Sequence, residues 1–485
     1  MEREEVKLKA LSGLVWQTAQ RFATKFVSLF VSILLARLLS PDDFGLIALT
    51  SIFLSIASIV ADSGLGTSLV QKKDIDHLDT NTVFFFGLGI SIILYFILFF
   101  SAPLISKLYD KTQLISILRL LGINLLFSSI SSVQGSLVSR ELDFKKFFYL
   151  SLITTVVSGG VGVIMALSGC GVWTLIGQSL TASVVGVVVL NTMIKWRPRF
   201  EFSFDRLKKL YSFGLNYMGT NLLGTFFNEI RAFLIGLKYQ PSDLAYYNRG
   251  DSLPGFVNNT ITGTISGVLF PAMSRLQDDK GAVKASIRRS MMSSSFLMSP
   301  LLFLLMGASE NIILLLYTDR WAMAIPFMQV IAVGYLLTIM GNANLQALNA
   351  IGRSDITLKL EFVKKPIYLG ILLYTMTISP LAMAVGNTIY AFYGATVNAL
   401  PNKKLIGYSY REQILDVAPQ LGLGLVSGIV SFLIGRMGLN IYLSLALQLS
   451  LGLGVYWFLA YLLKLESYLY IRNTVLDLIN GLRKQ

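Results

Sequence analysis

The sequence predicts an all-α integral membrane protein of about fourteen transmembrane helices, with two six-helix lobes followed by two C-terminal helices. Of its 485 residues, 54% are hydrophobic and only 14% are charged, whereas about a quarter of the residues of an average soluble protein are charged. The charges stand between apolar runs of about twenty residues, the length that a helix needs to cross a bilayer core of about 30 Å. Since lipid offers the backbone no hydrogen-bond partners, we expect these runs to be helical.

Six apolar segments form the predicted first half, at about 11–35, 44–70, 83–105, 114–138, 147–167 and 172–194. Six more form the second half, at about 210–237, 253–273, 291–316, 325–348, 360–378 and 381–400. Two further segments follow at about 414–434 and 441–463. The first segment begins at Leu11 without a small-residue cleavage pattern, so we expect a retained span rather than a signal peptide.

The distribution of Lys and Arg predicts the orientation. If both termini are cytoplasmic, the loops on the cytoplasmic side hold most of the basic residues outside the spans, as the positive-inside rule requires. Basic loops that meet anionic lipid headgroups account for the net charge of +14 without nucleic acid as a partner. The basic tail after Leu463 fits either an amphipathic surface helix or a solvated segment.

A short motif occurs twice, at an offset of about 200 residues. The first copy runs from Ser40 to Gly45 and the second from Gln240 to Ala245, with a proline and an aspartate at matching positions. An even number of spans separates the copies, so the halves are predicted to be parallel repeats. The predicted domains are an N-terminal lobe at 1–200, a C-terminal lobe at 201–402, two additional helices at 403–463 and a cytoplasmic tail at 464–485.

Several classes of function find no support in the sequence. There is one cysteine, Cys170, and one histidine, His77, which leaves no intrachain disulfide and no His-based metal site. No Gly-x-x-x-x-Gly-Lys-Ser/Thr run is present for nucleotide phosphates. No catalytic triad or carboxylate pair stands out, so we expect a transporter rather than an enzyme. We expect no cofactor, with H⁺ or Na⁺ coupling as one source of energy.

Polar side chains follow one face of the first predicted span, and a related set follows the seventh. Because a cation deep in lipid costs at least about 2.5–3.5 kcal/mol, Arg21 and Lys25 are predicted to face a wet cavity. A buried ion pair with Asp62 or Glu229 is the alternative, and the same two carboxylates are candidates for ion coupling. The face of the first span comprises Gln17, Gln20, Arg21, Thr24, Lys25, Ser28 and Ser32, and that of the seventh comprises Thr220, Asn221, Gly224, Thr225, Asn228 and Arg231.

Further candidates lie in the second half. Lys364 and Lys365 are near the predicted cytoplasmic end of the eleventh span, where snorkelling with Glu361 as a local partner is the other interpretation. Asp62 precedes Gly64 and Gly66, which suggests a broken helix end or a structural cap. Since cations exceed carboxylates along the polar faces, an anionic substrate such as a phosphate is predicted.

Five stretches, taken together, resemble the Wzx-type polysaccharide flippases, and in particular the branch of colanic acid and teichuronic acid exporters. These flippases belong to the multidrug/oligosaccharidyl-lipid/polysaccharide superfamily. The resemblance covers nearly the whole chain. The stretches lie at 34–45, 62–74, 139–146, 269–276 and 349–353.

The resemblance implies two six-helix lobes around a central cavity in the bacterial cytoplasmic membrane. It implies alternating access that moves an undecaprenyl-pyrophosphate-linked anionic oligosaccharide to the outer leaflet, with membrane lipids and polymer-assembly proteins as further partners. Arg21 and Lys25 match the cavity cations of related flippases by position, whereas Asn221 and Thr225 are neutral. Arg231, Lys364 and Lys365 are expected to assist with the pyrophosphate. Gln17, Asn216, Asn221 and Asn228 are the candidate polar residues of the cavity.

Two alternatives remain open at this stage. One is an ion-coupled multidrug antiporter of the same superfamily, which would need an acidic cavity for cationic drugs. The other is a membrane-bound glycan polymerase or ligase, which would need large outer loops that carry catalytic residues.

Overall fold

The computed structural model of the chain describes the backbone of residues 2–276 and 279–483. Side chains are described from residue 16 onward, except at 17, 18, 21, 212, 213, 216, 217, 264, 266–272, 277, 278, 474, 475 and beyond 476. Within these residues the regular structure is helical and no strand is present. The predicted all-α fold is confirmed.

The chain divides into two compact units, unit 1 over Met1–Ala245 and unit 2 over Tyr246–Gln485. The lobes predicted from the sequence, the first of which ends at residue 200, are not tested by this division and stay a prediction. The helices of unit 1 are α1 (Glu2–Leu38), α2 (Pro41–Leu49), α3 (Ser51–Asp62), α4 (Leu65–Gln71), α5 (His77–Tyr109), α6 (Leu114–Gly122), α7 (Asn124–Glu141), α8 (Phe144–Leu167), α9 (Trp173–Met193) and α10 (Phe204–Lys238).

Helix α11 (Pro241–Ser274) begins at the end of unit 1 and continues into unit 2. A short 3₁₀ helix, Asp319–Trp321, precedes α14. The other helices of unit 2 are α12 (Lys280–Gly307), α13 (Ser309–Tyr317), α14 (Ala324–Ala350), α15 (Ser354–Thr375), α16 (Pro380–Leu405), α17 (Tyr410–Gly435), α18 (Ile441–Leu462) and α19 (Glu466–Arg483).

The described residues contain nine helices that are long and apolar enough to cross a membrane, or ten if the bent pair Phe22–Leu38 and Pro41–Leu49 forms one span. The chain is therefore a multi-pass membrane protein. All fourteen predicted segments lie in helical structure, but the predicted count of fourteen spans is not confirmed. The remaining segments fall in α1, α10, α11, α15 and α16, none of which meets both criteria on its own over its described residues.

The repeated motif has the same local structure in both copies. In each, a proline begins a helix, where its missing N–H leaves no hydrogen bond unmade. In each, the residue before the proline donates its backbone N–H to the aspartate two residues after the proline. This distance is 3.0 Å from Ser40 to Asp43 and 3.0 Å from Gln240 to Asp243.

The two copies also touch each other. A Cβ atom at Gly45 would lie 1.9 Å from the carbonyl oxygen of Pro241, so only glycine fits without movement of the backbone. Ala245 occupies the matching position of the second copy and is buried. The motif of the first copy is thus a packing surface as well as a helix start.

Glycines also allow α10 to pack closely on the broken segment formed by α3 and α4. Between these helices Ser63 and Gly64 have positive φ angles of 50° and 65°. A Cβ at Gly64 would lie 2.6 Å from the carbonyl oxygen of Gly214 on α10, and a Cβ at Gly214 would lie 2.6 Å from that of Ser63. Backbone therefore meets backbone at this crossing, as small residues permit in membrane helices.

An ionic cluster joins α10 to the start of α5. The fully buried carboxylate of Asp79 lies 2.6 Å from Lys72 Nζ and 3.5 Å from Arg206 Nη1. Arg206 also lies 3.2 Å from Asp76. The hydrogen bond from the Asp79 N–H, together with the charges of Arg206 and Lys72, holds the pKa of Asp76 below its usual range.

Unit 2 is joined by polar contacts of its own. Asn344 of α14, Asn402 of α16 and Gln413 of α17 form a fully buried amide cluster. Arg288 of α12 contacts Asp416 of α17 at 2.9 Å and Glu466 of α19 at 2.7 Å. These contacts hold the first turn of α19 against the helices before it.

The contact between the two motif copies generates a prediction. We expect Gly45→Ala to lower the free energy of unfolding by about 1–3 kcal/mol, because overpacking a rigid backbone contact costs about that much. Thermal unfolding of the purified protein in detergent would measure the change. Gly89→Ala in α5 is the control, since a Cβ there meets nothing within 4 Å. Equal melting temperatures for the two variants would contradict the contact.

Candidate functional site

The main cavity of unit 1 lies between α3, α7, α9 and α10. Its volume is about 600 Å³, within the range of about 300–1,000 Å³ that small-molecule sites occupy. Each of the four helices contributes polar side chains to its wall. They are Ser55 and Ser58 of α3, Asn124 and Ser128 of α7, Ser179 and Ser183 of α9, and Thr225, Asn228 and Glu229 of α10.

Helical periodicity explains why these side chains share one space. Residues three and four positions apart lie on one face of a helix. On α3 the polar residues follow steps of four, three and four, on α7 steps of four, and on α9 one step of four. The three series are Ser51, Ser55, Ser58 and Asp62; Asn124, Ser128 and Ser132; and Ser179 and Ser183.

Hydrogen bonds connect the polar faces of neighbouring helices. Ser51 of α3 donates its hydroxyl to Glu229 of α10 at 2.7 Å. Asn124 of α7 donates to Ser179 of α9 at 3.0 Å. Both contacts involve residues on the cavity wall or beside it, so they position the wall as well as join the helices.

Asp62 occupies a small pocket beside the main cavity. It is the last residue of α3, and two residues with positive φ, Ser63 and Gly64, separate it from the start of α4. Ser132 of α7 donates to its carboxylate at 3.3 Å. The pocket has a volume of about 20 Å³ and shares Ser128 with the main cavity.

A second cavity of about 470 Å³ adjoins the main one and reaches α1. The two share Ser179, and Ser28 of α1 lines the second cavity. Lys25 lies one helical turn before Ser28, and its side chain is exposed. A cation on α1 therefore lies close to the polar cavities of the same unit.

The structure brings together only part of the predicted site. Asn228 and Glu229 line the main cavity, and Asp62 lines the pocket beside it. Asn221 lies half-buried one turn before Thr225 on the same helix. Arg231 is half-buried on α10, has contacts of its own and is not among the described lining residues. The side chains of Gln17, Arg21 and Asn216 lie outside the described residues.

The described side-chain partners of the two carboxylates are hydroxyl groups. Glu229 accepts from Ser51, and Asp62 accepts from Ser132. Among the described side chains, Lys25 forms no ion pair with either carboxylate. The ion pair between Lys25 and Asp62 or Glu229 that the sequence left open is therefore not seen among the described side chains.

Lys364 and Lys365 lie in unit 2 and share one carboxylate. Lys364 Nζ lies 2.5 Å from Glu361, and Lys365 Nζ lies 3.6 Å from the same residue. Lys364 is buried and passes close to Gly394 of α16, whereas Lys365 is half-buried. The pairing with Glu361 is the local one that the spacing of the sequence suggests.

Sequence reasoning missed most of the wall of the main cavity. Ser55, Ser58, Ser128 and Ser183 were not singled out, because isolated serines in apolar helices usually serve close packing. A signal was nevertheless present in α7, where polar residues recur at steps of four from Asn124 to Ser136. Which helices would surround the same space could not be known without the fold.

No group of three or more His, Cys, Asp or Glu residues that could hold a metal ion occurs among the described residues. The carboxylates of the site stand singly beside hydroxyl groups. Their arrangement suits hydrogen bonding to a polar ligand.

Comparisons with known proteins place these features in a wider group. Residues 34–326 match the polysaccharide biosynthesis protein family. The succinoglycan biosynthesis transport protein ExoT of Rhizobium meliloti is 23% identical over 90% of this chain and 87% of its own length. The lipopolysaccharide biosynthesis protein WzxC of Escherichia coli is 24% identical over 88% of each chain.

Solved structures share the fold. The lipid II flippase MurJ in an inward closed conformation superimposes with a TM-score of 0.74 at 13% identity, over 95% of this chain and all of that chain. A multidrug resistance MATE family transporter in an inward-facing conformation gives a TM-score of 0.63 at 16% identity, over 81% of this chain and 98% of that one. At these identities the likeness concerns the fold alone.

The lysine pair of unit 2 yields a test of whether Lys364 is structural. We expect Glu361→Gln to destabilise the protein by about 2–3 kcal/mol, because it leaves a buried cation without its partner. Lys364→Met should cost less, since it removes the buried charge itself. Thermal unfolding of both variants in detergent would measure the difference. A larger loss of stability for Lys364→Met than for Glu361→Gln would contradict a buried ion pair between Lys364 and Glu361.

Proposed function

Because the chain belongs to the polysaccharide biosynthesis protein family, we propose that it is a flippase for an undecaprenyl-pyrophosphate-linked oligosaccharide. It would move this lipid from the inner to the outer leaflet by alternating access, for the synthesis of a cell-surface polymer. The observation that carries the proposal is a polar cavity inside a membrane-spanning unit, with a cation on the adjoining face of α1. Such a space suits a cargo with a charged and heavily hydroxylated headgroup.

The division of labour among the residues follows from their chemistry. Arg21 and Lys25 lie four residues apart on one face of α1, and they would bind the pyrophosphate. Arg231, Lys364 and Lys365 would assist in binding the pyrophosphate during the conformational change of alternating access. Asn216, Asn221 and Asn228 would form hydrogen bonds with sugar hydroxyls, and Gln17 would be a further polar residue of the cavity.

The energy source is part of the proposal. Asp62 and Glu229 would couple transport to H⁺ or Na⁺, since both carboxylates lie at cavities inside unit 1. The membrane potential also favours outward movement of an anion when the cytoplasm is negative, by about 2.3 kcal/mol per charge at 100 mV.

The setting would be the bacterial cytoplasmic membrane, with both termini on the cytoplasmic side. This orientation follows from the excess of Lys and Arg in the loops assigned to that side. The partners would be the lipid-linked oligosaccharide, membrane lipids and proteins of polymer assembly.

A multidrug antiporter and a membrane enzyme fit less well. Asp62 and Glu229 would also suit a cationic drug, so the choice between the two transporters rests on the family match and on the names of the relatives. The curated relatives reported above carry the names of polysaccharide and lipopolysaccharide biosynthesis proteins. We therefore propose a transporter that makes and breaks no covalent bond of its cargo.

The cations of α1 provide the direct test. We expect the double variant Arg21→Ala, Lys25→Ala to lower polymer export more than about tenfold, since hydrogen bonds to charged groups contribute about 1.5–3 kcal/mol each. Export would be measured in a deletion strain that carries the variant gene, with membrane insertion checked by immunoblot. Lys403→Ala is the control, because this exposed lysine lies far along the sequence on α16. Normal export by an inserted double variant would exclude the electrostatic mechanism.

A further inference from the structure

We propose that the main cavity of unit 1 is a subsite for the neutral sugars of the cargo, separate from the place where the pyrophosphate binds. The cavity is the one between α3, α7, α9 and α10. This inference rests on the proposed function, because it assigns one part of the same cargo to one part of the protein.

The chemistry of the cavity wall favours sugars over phosphate. Its described lining contains neither Lys nor Arg, and its one charged residue is the carboxylate of Glu229. A pyrophosphate would be repelled by this carboxylate and would find no cation to neutralise it. Sugar hydroxyls, by contrast, both donate and accept hydrogen bonds, and so do the serine, threonine and asparagine side chains of the wall.

Several polar side chains of the cavity wall can still form hydrogen bonds with a ligand. The structure describes no hydrogen bond from Ser58, Ser128 or Asn228 to another protein group, and all three side chains are exposed. Glu229 accepts one hydrogen bond, from Ser51, although a carboxylate has room for about four. The cavity can therefore pair several hydroxyl groups at once.

Close packing does not account for these small polar residues. Where small residues serve packing in unit 1, a neighbour fills the space beside them, as Val31 does at Gly159, where a Cβ would lie 2.7 Å from the valine side chain. Ser58 and Ser128 instead face a space of about 600 Å³. Polar groups in a membrane-spanning segment face the interior or a cavity when they have a function, and here four helices present them together.

The position of the second cavity, between α1 and the main cavity, would orient the cargo. Ser179 belongs to both cavities, and the second one reaches α1 at Ser28, one turn from Lys25. A pyrophosphate held at α1 would thus place its first sugars towards Ser179 and the main cavity. Charge on one side and hydroxyl groups on the other match the order of groups in a lipid-linked sugar.

Binding to two probes would test the assignment. The probes are undecaprenyl pyrophosphate and undecaprenyl pyrophosphate linked to galactose, offered to the purified full chain in nanodiscs. We expect the wild type to bind the galactose-linked probe more tightly. The triple variant Ser58→Ala, Ser128→Ala, Asn228→Leu should bind this probe about tenfold more weakly and the bare pyrophosphate unchanged.

Controls separate this inference from the proposed function. Ser450→Ala on α18 should change neither affinity, since this exposed serine hydrogen-bonds to its own helix. Lys25→Ala should weaken both probes alike, and a failure to do so would reject the pyrophosphate site rather than the sugar subsite. If the triple variant does not fold, Ser58→Ala alone should still weaken only the galactose-linked probe, about twofold or more.

Two results would overturn the subsite. One is equal affinity of the wild type for both probes, since a sugar subsite must add affinity. The other is an undiminished preference for galactose in the triple variant or, if that variant does not fold, in Ser58→Ala. Absence of binding of either probe to the wild type would reject the subsite and the proposed function together.

Discussion

The backbone contact between Gly64 and Gly214 is the constraint on which unit 1 depends. It brings α10 against the broken segment of α3 and α4 at a distance that side chains would not permit. The polar faces of α3 and α10 can then share a hydrogen bond between Ser51 and Glu229. The ionic cluster around the buried Asp79 fixes the start of the same helix. The glycine contact, the interruption between α3 and α4 and the ionic cluster around Asp79 together position the helices that form the cavity wall.

The main cavity shows how a membrane-spanning unit can hold many polar side chains away from lipid. Serine and asparagine side chains are tolerated in a bilayer when they face one another or water, and their hydrogen bonds are individually modest. Spread over four helices, they provide a surface that is polar without a high charge. Such a surface can release its ligand again, because no single contact is strong. Charge is concentrated instead on α1, where Lys25 is exposed.

Much of the fold could be predicted from the sequence, because apolar length and charge distribution are local properties. All fourteen predicted segments lie in helices, and the break after Asp62 follows from Gly64. The number of spans could not be settled in this way, since α10, α11, α15 and α16 carry polar and charged residues among the apolar ones. For the site, the amide residues Asn221 and Asn228 of α10 were found because they repeat a polar face of α1, and Glu229 was found as a possible partner of the α1 cations. The serines of α3, α7 and α9 were missed because the sequence does not show whether a serine hydroxyl faces a cavity or a neighbouring helix.

The contact between Gly45 and Pro241 limits which substitutions the two motif copies can accept. The matching positions of the two copies hold Gly45 and Ala245. A Cβ at Gly45 would meet the backbone of Pro241, whereas Ala245 is buried with its methyl group in place. Exchanging the two hexapeptides would place alanine where no methyl fits. A larger side chain at position 45 would therefore require the backbone at Pro241 to move, so a change in one motif constrains the other.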